Sequence, residues 1–115
     1  MYEKFADRER SFIFLSESIS TNNDLKEMLR SSEEPLFAVI CAESQRGGRG
    51  RLGRSFYSPE GGLYFSVSLP LEGNESNIPF ITLLAGLSVI NALEALTGIK
   101  AELKWPNDVY FNSKK

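Results

Sequence analysis

The sequence predicts an α+β fold in which a mixed or antiparallel sheet carries its helices on one face. Three observations lead to this fold class. Apolar runs of strand length recur along the 115 residues, and two segments between them follow helical spacing. The order is roughly β-α-β-β-α-β-β, and strands that follow one another directly as well as through helices favour such a sheet.

The first half of the chain contains three predicted elements. Residues 11–17 include the apolar run Phe-Ile-Phe-Leu and form the first predicted strand. Residues 20–23 offer N-cap side chains to a helix that ends near Arg30. The apolar stripe of this helix consists of Leu25, Met28 and Leu29. Residues 36–42 are predicted to form a buried strand.

The second half follows the same reasoning. Residues 63–69 form a predicted strand after two glycines. Pro79 opens a long helix, and Gly98 ends it. Residues 101–105 and 109–111 form two short strands, which are joined by the turn-forming residues 106–108.

Composition excludes several classes of function. The chain has 13 Lys and Arg against 15 Asp and Glu, a net charge of −2, which argues against binding nucleic acid or an anionic membrane through overall charge. No histidine is present, so Ser-His-Asp chemistry is absent. The single cysteine, Cys41, lies in an apolar run and is interpreted as a small buried hydrophobe.

The N-terminus is too charged for a signal peptide. The long apolar stretch at residues 83–96 is interrupted by Gly86, Ser88, Asn91 and Glu94, which argues against a membrane span. Together these features predict a cytoplasmic protein.

Residues 45–54 hold four glycines and four arginines. Glycine lets backbone N–H groups turn toward an anion, and arginine matches phosphate or carboxylate oxygens two at a time. The segment therefore predicts a phosphate-cradling loop that orders when its ligand binds. An RNA-binding Arg/Gly element is the alternative, although such elements usually repeat and lie at termini.

Residues 104–108 read Lys-Trp-Pro-Asn-Asp. Alternation along a strand predicts that Trp105 packs inward while Lys104 points toward a ligand. Asn107 and Asp108 would then present an amide and a carboxylate to a nucleotide and its Mg²⁺. The alternative is a hairpin corner with Trp105 in the core.

Three motifs in this order, residues 20–22 (Ser-Thr-Asn), 45–54 and 104–108, resemble the catalytic domain of biotin protein ligases. The resemblance covers residues 14–115. It implies a class II synthetase-like biotin/lipoate ligase catalytic fold, incomplete in this chain. It also implies an ATP-dependent enzyme that forms biotinyl-5′-AMP and transfers biotin to a lysine of a carrier protein.

The resemblance also implies roles for individual residues. The residues matching biotin-binding positions are Ser20, Thr21, Asn22, Gln45, Arg49, Gly50, Arg51 and Lys115. Those matching nucleotide-binding positions are Arg49, Arg51, Lys104, Asn107 and Asp108. Lys115 and Arg51 match catalytic positions, and Asp108 is the candidate Mg²⁺ ligand. For residues 20–22 an N-cap role can hold at the same time. The alternative for Lys114 and Lys115 is a frayed, solvated terminus.

The expected ligands are ATP, biotin and Mg²⁺, and the expected partner is the biotin carboxyl carrier domain of acetyl-CoA carboxylase or a related carboxylase. Residues 1–115 are expected to be the N-terminal part of the catalytic domain, inactive alone, without an N-terminal DNA-binding domain or the C-terminal β-barrel. No DNA or membrane partner is expected, and a homodimer is compatible with the resemblance. The enzyme alternative is a lipoate or octanoate ligase, which usually lacks the arginine-glycine run.

Overall fold

The computed structural model describes residues 2–6 (backbone), 10–32, 37–69 and 77–115, which fall into two compact units, Met1–Leu71 and Glu72–Lys115. The elements of the first unit are β1 Tyr2–Ala6, β2 Arg10–Ser18, α1 Thr21–Arg30, β3 Phe37–Gln45, a 3₁₀ turn Arg51–Gly53 and β4 Tyr64–Ser68. Those of the second unit are α2 Ile78–Thr97, β5 Glu102–Lys104 and β6 Asp108–Tyr110.

The first unit is a four-stranded mixed sheet in the order β1-β2-β3-β4. The β2–β3 pair is parallel and connected through α1, and the two outer pairs are antiparallel. The mixed sheet is therefore confirmed, and the strand predicted at residues 11–17 is β2, whereas β1 was not predicted. The segment Tyr2–Ala6 carries two charges in five residues and has no alternating apolar pattern; it pairs through its backbone at the sheet edge. Leu36, the predicted start of β3, lies outside the described residues.

The core of the first unit lies between α1 and one face of the sheet. Leu25 is 4% exposed and packs with Ala38 and Ile40 of β3. Burying a leucine of this kind stabilises the fold by about 1.5–3 kcal/mol. Partly buried residues complete this cluster, namely Ile13, Leu15, Met28 and Leu29. The predicted apolar stripe of α1 is confirmed.

The second unit packs α2 against the β5–β6 hairpin. The helix has proline in its first turn and ends at Gly98, whose φ of 73° is the left-handed conformation that glycine adopts freely. A Cβ at Gly86 would lie 2.6 Å from Leu103 Cδ1, so helix and hairpin touch closely here. The strands are thus divided between two sheets, where the sequence predicted one.

The inward placement predicted for Trp105 is wrong, because its side chain is 74% exposed. β5 ends at Lys104, so Trp105 is the first residue of the turn and strand alternation does not reach it. The hairpin corner itself is confirmed. Asp108, predicted in the turn, opens β6 instead.

By length and composition, α2 is also apolar enough to cross a membrane. A core helix of a soluble protein meets the same requirement. Several of its large apolar side chains are exposed in the described part of the chain, among them Phe80, Leu84, Leu87 and Leu96.

Candidate active site

Gln45, at the end of β3, caps the N-terminus of α1. Ser20 occupies the N-cap position with extended backbone, but its side chain makes no cap hydrogen bond. Instead, the Thr21 backbone N–H donates to Gln45 Oε1 at 2.9 Å, and Thr21 Oγ1 donates to the same oxygen at 3.2 Å. The predicted cap from the 20–22 side chains is therefore wrong, because an acceptor 24 residues away satisfies the helix end.

This contact extends in two directions. Gln45 Nε2 donates to Ser58 Oγ at 3.1 Å, and Thr21 Oγ1 lies 2.9 Å from Ser66 Oγ on β4. Thr21 and Ser58 are 3% and 2% exposed, respectively. In the described ranges every buried side-chain polar atom has a hydrogen-bond partner. The four side chains therefore form a satisfied polar network inside the first unit.

Residues 45–58 form a short hairpin, named the arginine hairpin below. Backbone contacts join its two limbs, pairing Gln45 with Ser58, Gly48 with Phe56, Arg49 with Ser55 and Gly50 with Arg54. The tip is the 3₁₀ turn Arg51–Gly53, where Leu52 has a φ of 58° and is 92% exposed. The structure thus gives paired limbs where the sequence showed no periodicity. Ordering of this segment on ligand binding stays a prediction.

The arginines of the hairpin have different surroundings. Arg46 Nε lies 2.9 Å from Glu17 Oε1 and is neutralised at the base of the hairpin. Arg49, Arg51 and Arg54 are exposed, and their guanidinium groups form no ion pair with any residue that the structure describes. An open cavity of about 380 Å³ runs along the hairpin. Three guanidinium groups are consequently available to an anionic ligand.

In the second unit, charged side chains gather around the turn that contains Asn107. Lys104 and Asp108 are register partners across the β5–β6 pair. Lys104 Nζ lies 5.2 Å from the ring centroid of Tyr110, within cation–π distance. Asp108 Oδ1 lies 2.5 Å from Lys115 Nζ, so these two predicted site residues form an ion pair.

The chain reaches Lys115 through a tight turn. Asn112 and Ser113 both have positive φ, 49° and 60°, as the central residues of a type I′ turn do. Phe111 and Lys114 exchange backbone hydrogen bonds of 2.8 and 3.0 Å across it. The terminus is solvent-exposed, as the alternative had it, but these bonds tie it into a turn, so it is not frayed. Lys115 rather than Lys114 carries the ammonium that pairs with the carboxylate of β6.

Cys41 is a half-buried free thiol on β3. Burial raises the pKa of this thiol, and a hydrogen bond to the Ala42 backbone opposes the rise in part. A raised pKa leaves little reactive thiolate near neutral pH. The interpretation of Cys41 as a small hydrophobe agrees with this environment.

A comparison with protein-family models matches residues 15–115 to the "Biotin/lipoate A/B protein ligase family". The match includes β3, the arginine hairpin and the β5–β6 turn. The chain belongs to the biotin/lipoate A/B protein ligase family. Its relatives include the bifunctional ligase/repressor BirA of Bacillus spizizenii, 36% identical over 98 residues, which are 84% of this chain and 30% of the relative. BirA of Escherichia coli is 39% identical over 78 residues, which are 67% of this chain and 24% of the relative. The chain thus spans about a third or less of these curated relatives.

Solved structures of family members match as well. The biotin protein ligase from Aquifex aeolicus, in complex with biotin and ATP, is 44% identical with a TM-score of 0.71, covering 91% of this chain and 42% of that chain. The enzyme from Leishmania major, in complex with biotinyl-5-AMP, is 30% identical with a TM-score of 0.76, covering 95% of this chain and 49% of that chain. The biotin protein ligase catalytic fold is therefore confirmed.

The residues predicted from the family resemblance divide between the two units. The first unit holds Ser20, Thr21, Asn22, Gln45, Arg49, Gly50 and Arg51. The second unit holds Lys104, Asn107, Asp108 and Lys115. Direct contacts link Thr21 with Gln45 and Asp108 with Lys115.

Two members of the polar network were missed from the sequence. Ser66 lies between Phe65 and Val67 on β4. A hydroxyl within an apolar strand could have identified it as a candidate for a buried hydrogen bond. Ser58 lies in a stretch without periodicity and gave no signal. Its importance comes from the backbone pairing with Gln45, which no local pattern encodes.

Proposed function

We propose that the full-length protein is an ATP-dependent biotin ligase that forms biotinyl-5′-AMP and transfers biotin to a lysine of a carrier protein. One observation carries the proposal: the arginine hairpin is joined through Gln45 to the N-terminus of α1. Exposed guanidinium groups and a buried polar network thus belong to one compact unit. Two family members similar to this chain have been solved, one with biotin and ATP and one with biotinyl-5-AMP.

In this proposal residues 20–22 and Gln45 bind biotin. Ser20 and Thr21 are buried at the helix start, and Asn22 is exposed one residue later. A helix N-terminus with polar side chains suits the ureido group, which needs hydrogen-bond partners when it leaves water. The contact from Gln45 to Thr21 fixes this end of the site before the ligand arrives.

Arg49, Gly50 and Arg51 bind the acyl-adenylate and its phosphate. An opposite-charge contact at about 4 Å near a protein surface is worth about 4 kcal/mol before desolvation. Two guanidinium groups that neutralise no carboxylate in the described part of the chain can therefore retain a reactive anionic intermediate. The Gly50 backbone N–H donates to Arg54 O at 2.7 Å, so its contribution is to shape the hairpin.

Lys104 and Asn107 bind the nucleotide, and Lys115 binds the biotin carboxylate and neutralises charge during adenylation. A biotin carboxylate oxygen attacks the α-phosphorus of ATP, and the bond to the pyrophosphate oxygen breaks. An ammonium at Lys115 stabilises the negative charge shared by the carboxylate and the α-phosphate. The amine of the carrier lysine then attacks the acyl carbon, loses its proton to form the amide, and AMP leaves.

The proposal includes Mg²⁺ as the counter-ion of ATP. The described residues do not fit a protein-built magnesium centre: they contain no cluster of three or more His, Cys, Asp or Glu able to hold a metal. Oδ1 of Asp108, the candidate Mg²⁺ ligand, already forms an ion pair with Lys115. The proposed role of Asp108 is to hold Lys115.

The proposed acceptor is the biotin carboxyl carrier domain of acetyl-CoA carboxylase or a related carboxylase, in the cytoplasm. A relative from Paracoccus denitrificans, 35% identical over 80 residues, is named biotin–[acetyl-CoA-carboxylase] ligase. These residues are 68% of this chain and 33% of the relative. The net charge of −2 gives no support to the RNA-binding alternative.

The test is biotin-dependent exchange of pyrophosphate into ATP by the full-length protein. We expect exchange with biotin and a calorimetric titration in which biotin binds more tightly than lipoate. Tighter binding of lipoate would favour the lipoate ligase function. Salt-sensitive RNA binding that biotin leaves unchanged, without exchange, would favour the RNA-binding module.

A matched pair of variants tests the arginine hairpin. Arg51→Ala should accelerate release of biotinyl-adenylate at least about tenfold, because a hydrogen bond to a charged group contributes about 1.5–3 kcal/mol. Arg46→Ala removes the same charge from the same segment, but Arg46 is paired with Glu17. We expect release from Arg46→Ala to match the unsubstituted protein. Equal release from Arg51→Ala and the unsubstituted protein would contradict the assigned role.

A further inference from the structure

Ser58 is a buried polar residue that no motif includes. It lies on the returning limb of the arginine hairpin and is 2% exposed. Its backbone oxygen accepts from the Gln45 backbone N–H at 2.9 Å. Its hydroxyl contacts Gln45 Nε2 at 3.1 Å and Phe56 O at 3.2 Å. Ser58 therefore contacts Gln45 through both backbone and side chain.

The direction of these hydrogen bonds follows from chemistry. The Thr21 backbone N–H can only donate, so the amide atom of Gln45 that faces it must be the oxygen. Nε2 must then face Ser58, whose hydroxyl accepts from it and donates its own proton to Phe56 O. On the other side, Thr21 Oγ1 donates to Gln45, so Ser66 Oγ must donate to Thr21 Oγ1. One orientation of the Gln45 amide therefore satisfies all of these hydrogen bonds.

The two limbs of the hairpin touch where Ser58 sits. A Cβ at Gly48 would lie 2.5 Å from Ser58 Oγ and 2.7 Å from Phe56 O. The limbs cannot slide past one another without disturbing these contacts. Arg49, the next residue after Gly48, pairs with Ser55 in the same ladder. Ser58 therefore helps to fix the pairing of the two limbs directly before Arg49, which is the first of the exposed arginines.

We propose that Ser58 is a positioning residue that acts through Gln45 and fixes the arginine hairpin relative to the N-terminus of α1. This deepens the proposed function and rests on it: the hairpin would hold the acyl-adenylate while the helix start holds biotin. Because Ser58 is 2% exposed, it is placed to act through Gln45 and not by direct contact with either ligand. It fixes the side-chain amide of Gln45, which joins the two binding elements.

The first test measures release of biotinyl-adenylate from the full-length protein. Ser58→Ala removes the acceptor for Gln45 Nε2 and the donor for Phe56 O. We expect release to accelerate between about tenfold and a hundredfold, the range for displaced binding groups. Ser55→Ala is the matched control, because Ser55 is exposed, lies on the same limb and makes no side-chain hydrogen bond with the described residues. Equal release from the two variants would overturn the proposal.

A double-mutant cycle tests whether Ser58 acts through Gln45. In a Gln45→Ala background, Ser58→Ala should change release less than twofold further, because the link is already broken. Independent, additive effects of the two substitutions would overturn the coupling. Ser58→Cys keeps the shape of the side chain but carries a slightly larger and weaker hydrogen-bonding group, so it should give an intermediate release rate. It also provides a folded variant if Ser58→Ala unfolds.

Hydrogen exchange separates this proposal from the proposed ligase function, because it needs no substrate. Ser58→Ala should accelerate exchange at the amides of Thr21 and Phe56, while the helix-interior amide of Leu25 stays as protected as in the unsubstituted protein. Unchanged exchange at Thr21 would overturn the positioning role, even in an active enzyme. Accelerated exchange at Thr21 in a protein without biotin-dependent pyrophosphate exchange would support the link and refute the ligase function alone.

Discussion

Gly48→Ala tests how closely the two limbs of the arginine hairpin approach. The added Cβ would lie 2.7 Å from the backbone oxygen of Phe56 and 2.5 Å from Ser58 Oγ. A backbone oxygen cannot rotate away as the end of a side chain can, so the returning limb must move. That movement breaks the Phe56 N–H to Gly48 O bond of 2.8 Å and the 3.1 Å bond between Gln45 and Ser58.

The magnitude follows from these two bonds. Each intramolecular hydrogen bond contributes about 0.5–1.5 kcal/mol, so their loss costs about 1–3 kcal/mol. Replacing glycine with alanine also stabilises the folded state by about 0.4–1 kcal/mol, because the unfolded chain has fewer conformations. We expect the free energy of unfolding to fall by about 1–2 kcal/mol, measured by denaturant titration of the full-length protein. Amide exchange at Phe56 should accelerate in parallel.

Gly50→Ala is the matched control. Gly50 has a φ of −88°, which alanine adopts, and a Cβ there would meet its nearest atom, Arg54 O, at 3.6 Å, an ordinary contact. This variant should be as stable as the unsubstituted protein or more stable by up to about 1 kcal/mol. Equal stability of the two variants, with Phe56 equally protected, would refute the close approach of the limbs.

Three further predictions concern other parts of the chain. Asp108→Asn releases the ammonium of Lys115; biotin-dependent pyrophosphate exchange should fall about tenfold, while stability changes by less than about 1 kcal/mol because the pair is partly exposed. Glu102→Gln, the same charge loss on β5, should leave exchange unaltered, and an equal fall in both variants would count against the ion pair. Leu25→Ala should lower the free energy of unfolding by about 2–4 kcal/mol in a denaturant titration, since this side chain is 4% exposed; a loss below about 1 kcal/mol would contradict the assigned core. Burial raises the pKa of the Cys41 thiol, so the protonated thiol contributes its full stability below the ordinary thiol pKa, and this contribution is lost as the pH rises through the raised pKa. The free energy of unfolding, measured from neutral to alkaline pH, should therefore decline more in the unsubstituted protein than in Cys41→Ala. Parallel curves for the two proteins would contradict the raised pKa.

The elements best predicted from the sequence are those whose limits are set by local chemistry. α2 begins with proline in its first turn and ends at Gly98, because proline fits a helix start and left-handed glycine fits its end. The stripe of α1 was predicted correctly because helical spacing alone selects Leu25 and its neighbours. β1 was missed because an edge strand gains its stability from pairing with β2, which depends on residues far along the chain.

The candidate site was predicted by residue type but not by contact. Glycine and arginine content identified residues 45–54 as an anion-binding segment, and the family resemblance supplied roles. Neither could show that Arg46 is neutralised by Glu17, because that pair joins residues 29 positions apart. Likewise, the helix cap comes from Gln45 rather than from Ser20, since the sheet register brings Gln45 to the helix end.

The cap on α1 also limits what Gln45 can recognise. A glutamine amide has two acceptor positions and two N–H groups. Thr21 fills both acceptor positions, and Ser58 takes one N–H. Among the described residues nothing accepts the second N–H, so this proton is available to a ligand. Gln45 can therefore donate a hydrogen bond to a carbonyl oxygen of the ligand, but it cannot accept one from a ligand N–H. Contacts within the first unit alone determine this preference. An analogue with an N–H at that point would have to displace the helix cap before it could bind.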